Sequence, residues 1–151
     1  MSASDMVDQD LVGRFDEDGV VCVRNVFDEA EIDRLAGFVG NWLAHPGAHS
    51  RDFGQGGGSF FSDIFGWQRD DAYGDWLLRS PLGKIAGALL QVPEVRLYFD
   101  HLLVKEPGGA AKTPWHQDAP YWPMSGRQCL TGWIALDPVD LASGAVEYVR
   151  G

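Results

Sequence analysis

The periodicity of this chain changes at Pro93, and that change limits the folds open to it. Before Pro93 apolar residues recur at helical spacing. After it, short β-branched and aromatic runs alternate with turn residues. Helices crowd the first half and strands the second. That order predicts an α+β domain with a sheet flanked by helices, rather than a parallel βαβ sheet. With 151 residues the chain is long enough for one domain with a sizeable core, and we read 1–151 as a single unit.

The helical half is punctuated by specific signals. In DQDLVGRFDEDG, residues Leu11, Val12 and Phe15 share a face and Gly19 follows as a stop, which predicts a helix near 8–17. VVCVRNV, near 20–26, reads as a strand. Asp28 stands three residues before Glu31, a capping-box spacing, and Ile32, Leu35, Phe38, Val39, Trp42 and Leu43 follow at helical positions up to Pro46 and Gly47. That predicts a helix near 28–45. Residues 48–60 read as an exposed loop. Gly56, Gly57 and Gly58 form no phosphate cradle, because no GK[ST] follows and no strand leads in. Two further helices are expected near 70–79 and 81–91, the second opened by Ser80 and Pro81. Strands are expected near 95–105, 128–136 and 145–149.

Charge narrows the partners. Twelve basic against twenty-two acidic side chains give a net charge of −10. Such a field repels nucleic acid and anionic membrane, so neither is an expected partner. The first residues lack the apolar stretch of a signal peptide, and no apolar run is long enough to span a bilayer. Cys22 and Cys129 are far apart and form no CxxC, which reads as two reduced, buried thiols in a cytoplasmic protein.

The densest chemistry lies in TPWHQDAPYWP, Thr113 to Pro123. On a strand, residues two apart point to one side, so His116 and Asp118 would project together and Gln117 away. A nitrogen and a carboxylate oxygen on one face are two members of a 2-His-1-carboxylate set, which suits non-haem Fe(II). A bare HxD also serves as a hydrogen-bonded pair at a strand end. Trp115, Tyr121 and Trp122 around the two polar groups fit a pocket wall, stiffened by Pro114, Pro120 and Pro123.

TPWHQDAPYWP followed by GWIALDPVDLASGAVEYVRG resembles the phytanoyl-CoA dioxygenase family of Fe(II)/2-oxoglutarate oxygenases. YFDHLLVKEPG is similar to the strand that precedes the family's HxD, and FDEDGVVCVRNVFDEAEIDRL to its opening helix–strand–helix. The resemblance runs from about Phe15 to Gly151. It implies a partial double-stranded β-helix (a jelly roll, cupin-like) flanked by the N-terminal helices. It implies Fe(II) as metal, 2-oxoglutarate as co-substrate and hydroxylation of a small-molecule substrate, with His116 and Asp118 as metal ligands. Trp133 matches a position bordering the 2-oxoglutarate site. His101 lies on a strand lining that site in relatives, and reads equally as a satisfied strand histidine. His45 and His49 read as solvated.

One departure from the family pattern stands out. In relatives the segment matching EYVRG continues into further strands bearing a distal histidine and an arginine that pairs with the co-substrate. This chain stops at that point, so two of three iron ligands are expected. Unpaired sheet edges then predict self-association or completion by another chain. A truncated or non-catalytic member acting as an interaction module is the alternative reading.

Overall fold

The computed structural model describes residues 6–54, 58–107 and 112–151. Helix α1 spans Gln9–Asp18, α2 Glu29–Ala44, α3 Gly66–Arg69, α4 Asp71–Arg79 and α5 Leu82–Leu89. Three strands, β1 Arg51–Asp52, β2 Phe60–Ile64 and β3 His101–Lys105, form an antiparallel sheet in the order β1-β2-β3. Among the described residues no helix is long and apolar enough to cross a membrane.

The helix ends follow from local chemistry. Asp8 accepts from the Leu11 amide at 2.8 Å, which satisfies one of the amides that α1 leaves unpaired. Gly19 closes α1 at φ 73°, its N–H donating to the Phe15 carbonyl. Asp28 and Glu31 form the reciprocal capping box at the start of α2. All four helices read from the sequence are therefore present within a residue or two of their expected ends, and the mixed α+β character holds.

The strands differ from expectation. Of residues 95–105 only His101–Lys105 pairs, and 20–26, 128–136 and 145–149 form no ladder among the described residues. A β-branched run becomes a strand only where a neighbour's edge takes its amides and carbonyls, and no such edge lies beside these segments among the described residues. The segment 48–60 carries β1 and the start of β2 instead of a plain loop, with Arg51 opposite Ser62 and Asp52 opposite Phe61. Its residues 55–57, including Gly56 and Gly57, lie outside the described residues. β2 escaped the sequence reading because FFSDI does not alternate: its adjacent polar residues Ser62 and Asp63 are both buried. Cys22 and Cys129 are free thiols, but both are exposed rather than buried.

Two apolar centres hold these elements. In the first, Val7, Leu11 and Val12 meet Ile85 and Leu89, with Phe15, Val21, Val23, Val26 and Leu130 packed around them. Leu130 brings the C-terminal stretch onto α1 and α5. Arg150 adds an ion pair to Asp18 at 3.7 Å, and the Gly151 amide donates to the Asp18 carbonyl. The second centre is aromatic. Trp42 on α2 stands edge-on to Tyr73 with centroids 4.7 Å apart, Tyr73 stacks on Trp76, and Trp76 meets Phe27.

A polar hub joins the aromatic centre to the sheet. Asp63 on β2 is 1% exposed and pairs with Arg69 of α3. It also accepts from the Gly47 and Ile64 amides. The Arg69 guanidinium lies over the Trp42 ring, 4.8 Å from its centroid, and donates to the His45 carbonyl at 3.1 Å. Asp70 caps α4 through the Tyr73 amide and accepts from Trp42 Nε1 at 3.3 Å.

The close approach of α3 to α2 requires a glycine. A Cβ on Gly66 would stand 2.0 Å from Trp42 Cη2. Trp42 cannot yield easily, since Asp70, Arg69 and Tyr73 hold its ring. Gly66→Ala is expected to destabilise the fold by about 1–3 kcal/mol through overpacking. The urea unfolding midpoint reads this out, and an unchanged midpoint would mean that the ring moves freely.

Candidate functional site

β3 begins at His101, and a turn sets its place. Phe65, between β2 and α3, adopts the left-handed φ of 60°, a conformation that persists in a non-glycine residue only when its surroundings enforce it. Asp100 does so. Its carbonyl accepts from the Phe65 amide at 3.2 Å, and its carboxylate accepts from the Gly66 and Trp67 amides, each at 3.1 Å. Burial raises the Asp100 carboxyl above the ordinary aspartate range, against the lowering effect of those amides.

On β3, His101, Leu103 and Lys105 share one face of the sheet with Ile64, Ser62 and Phe60 of β2. Ser62 Oγ lies 2.8 Å from His101 Nε2. Burial lowers the His101 imidazole below its ordinary value, opposed by the carboxylates of Asp100, Asp118 and Asp63. His101 therefore sits within electrostatic reach of Asp118, some distance along the chain. Much of the residue still meets solvent, so screening keeps the consequence small. The sign is nevertheless defined. A histidine with a depressed folded value contributes stability that is present above its ordinary value of 6.5 and lost as pH falls through the folded value. Relative to His101→Asn, the wild-type chain should lose stability below pH 6.5 and match its slope above. Parallel unfolding curves across that range would refute the assignment.

His116 and Asp118 come together at 3.1 Å, Nε2 to Oδ1, with side chains 47% and 48% exposed. The reason differs from the sequence argument. This segment is not a strand. Asp118 has helical angles (φ −73°, ψ −38°) and leads into a 3-10 turn, Ala119–Tyr121, with Pro120 inside it. That turn folds the carboxylate back to the ring. The other ring nitrogen is fixed as well: His116 Nδ1 is 2.8 Å from the Pro114 carbonyl oxygen. A carbonyl only accepts, so Nδ1 carries the proton. In the neutral ring Nε2 is then a bare lone pair aimed at a carboxylate oxygen. Nε2 and the carboxylate oxygen are then two electron-pair donors side by side, an arrangement that a metal ion can bridge. The donor pair has the chemistry of two metal ligands, with the imidazole's outer nitrogen tied to a carbonyl as metal-bound histidines usually are.

The remaining expected residues are placed less closely. Trp133, 48% exposed, lies in the stretch 128–136, which forms no ladder among the described residues. The aromatics expected as pocket walls stand open to solvent, Trp115 at 69% and Tyr121 at 80%. Proline-rich chain here has no ladder to fold it inward. Two surface concavities lie elsewhere, about 520 Å³ beside Trp67, Asp71 and Leu78 and about 290 Å³ beside Arg14, Cys22 and Arg24. His45 and His49 are exposed, as expected. Among the described residues no group of three or more His, Cys, Asp or Glu side chains is arranged to hold a metal ion.

Two residues near the site went unread in the sequence. Ser62 holds His101 from inside the sheet, and nothing in FFSDI marks it. Tyr148 has its phenol raised by burial and by the Asp118 charge. Its position in GAVEYVRG was visible only as strand-like alternation.

No curated protein and no solved structure matches the chain. A family model does: that of phytanoyl-CoA dioxygenase (PhyH), over residues 15–151. That span takes in His101, the His116–Asp118 pair and Trp133, and over it the chain belongs to the phytanoyl-CoA dioxygenase family.

Proposed function

We propose that this chain carries the proximal metal half-site of an Fe(II)/2-oxoglutarate-dependent oxygenase acting on a small organic substrate. One observation supports this above the others: His116 Nε2 and Asp118 Oδ1 face each other at 3.1 Å while Nδ1 is committed to a carbonyl. Bound Fe(II) would supply the oxygen chemistry, with 2-oxoglutarate consumed to succinate and CO2. The chain's own residues orient and charge the site. Pro114 fixes the His116 ring, Asp118 supplies a negative ligand, and His101 and Trp133 border the co-substrate. The partial jelly roll belongs to this proposal, since the three-stranded sheet is compatible with it.

Two protein ligands leave Fe(II) largely to water, and an unpaired co-substrate carboxylate forgoes a charge-assisted bond, roughly ten- to a hundredfold in binding. Residues 1–151 alone are therefore expected to bind Fe(II) weakly and to give no measurable succinate. Supplying, fused or in trans, the family's strands with the distal histidine and arginine should restore turnover under Fe(II), ascorbate and O2. His116→Ala or Asp118→Ala should then abolish it, and lower Fe(II) affinity at least about tenfold. Unchanged turnover in both variants would overturn the ligand assignment. A second reading, a non-catalytic interaction module, is favoured by the exposed Trp115, Tyr121, Leu141 and Val149. Absence of turnover after completion would select it.

A further inference from the structure

Ser62 belongs to a sheet strand, is 6% exposed and has no ladder role for its hydroxyl. Among the described residues its Oγ has one hydrogen-bond partner, His101 Nε2 at 2.8 Å. Two arrangements fit that distance. If the ring donates from Nε2, the buried hydroxyl proton is left without an acceptor, the costly way to bury a donor. If the hydroxyl donates, the buried proton is used, and the ring is the neutral tautomer with its proton on Nδ1, on a residue open to solvent. The second is the lower in energy. The ring then keeps Nδ1–H as the donor it can offer to a ligand. It does so from a β3 position within electrostatic reach of Asp118.

We propose that Ser62 is a positioning residue for the oxygenase site: it holds His101 in the Nδ1–H tautomer and so presents a hydrogen-bond donor to an anionic co-substrate. This rests on the oxygenase reading for the anion, 2-oxoglutarate, and for the place of His101 beside it, and on the Ser62–His101 geometry for the tautomer. A bare Nδ1 lone pair would repel a carboxylate, whereas an N–H attracts it, so the hydroxyl of a buried serine decides the sign of the interaction. Ser62 touches no ligand itself.

The first measurement reads the tautomer directly. Long-range proton–nitrogen correlation spectra of the 15N-labelled chain, with His101 assigned by His101→Asn, should show Nδ1 protonated and Nε2 bare. Ser62→Ala should shift His101 toward the Nε2–H tautomer that isolated imidazoles favour, and Ser62→Thr should restore Nδ1–H. A wild-type Nε2–H ring, or one indifferent to Ser62→Ala, overturns the proposal. The second measurement uses the completed protein. Ser62→Ala should raise KM for 2-oxoglutarate about three- to tenfold, the range of one hydrogen bond, with little change in kcat or Fe(II) affinity. His101→Asn, whose amide nitrogen stands near the place of Nδ1, should bind 2-oxoglutarate independently of Ser62. Should Ser62→Ala fold poorly, the Ser62→Thr and His101→Asn pair still decides. An equal fall in kcat and Fe(II) affinity would mark Ser62 as merely structural and overturn the proposal. Failure of the oxygenase reading registers separately, as absent succinate in the completed wild-type protein while the tautomer follows Ser62.

Discussion

Arg69→Ala is expected to lower the free energy of unfolding by about 3–5 kcal/mol, the range for removing one partner of a buried ion pair. Asp63 is 1% exposed, and Arg69 supplies its only countercharge among the ion pairs of the described residues. The Gly47 and Ile64 amides that remain can solvate the carboxylate but cannot neutralise it. The same truncation strips the cation from the Trp42 face and the donor from the His45 carbonyl. Domains of this size have about 5–15 kcal/mol in total, so this variant should be unfolded in a large fraction at modest urea. Arg69→Lys should recover only part, because one ammonium cannot reproduce the guanidinium's fork to Asp63 and the His45 carbonyl. Equilibrium urea unfolding followed by tryptophan fluorescence measures both. A loss under about 1 kcal/mol, the range of exposed pairs, would mean that water reaches Asp63 in the native state.

Trp42→Ala should cost a similar amount, about 3–5 kcal/mol, by a different route. The indole is 3% exposed and fills the gap between α2, α3 and α4. Gly66 is held against it so tightly that no side chain fits there. Truncation opens a cavity that these short helices can only partly close, and it leaves Asp70 without the Nε1–H donor. Because Trp42 and Arg69 touch, their effects should not add. The double variant should fall short of the sum by more than about 0.5 kcal/mol, the scale expected for residues in contact. Additive losses would show that the stacked guanidinium contributes nothing beyond its pairing with Asp63.

Both variants bear on the candidate site through chain connections rather than contact. Asp63 follows Ser62 on β2, and β2 carries β3 in register with Ile64 opposite His101. Loosening the hub loosens the strand that presents Ser62 to His101. Reduced 2-oxoglutarate affinity in Gly66→Ala, if seen, would therefore report strand disorder and not a lost ligand.

The sequence by itself determined four of the five helices, all but the short α3, because their signals are local. Asp8, Asp28 and Asp70 satisfy amides three residues away, and Gly19 takes a left-handed conformation at a defined place. It also named the HxD pair, but the turn at Asp118, rather than strand spacing, brings the two side chains together. The tertiary structure decided the rest. Strand pairing is non-local: VVCVRNV, with four valines, pairs with nothing among the described residues, whereas FFSDI, with two adjacent polar residues, is the central strand. Burial of Asp63 became tolerable only because Arg69 arrives from the next helix. The same holds for Ser62, whose partner is thirty-nine residues away. A side chain's chemistry is written in the sequence, but whether its charge, proton or lone pair is met depends on groups that only the fold brings within hydrogen-bonding distance.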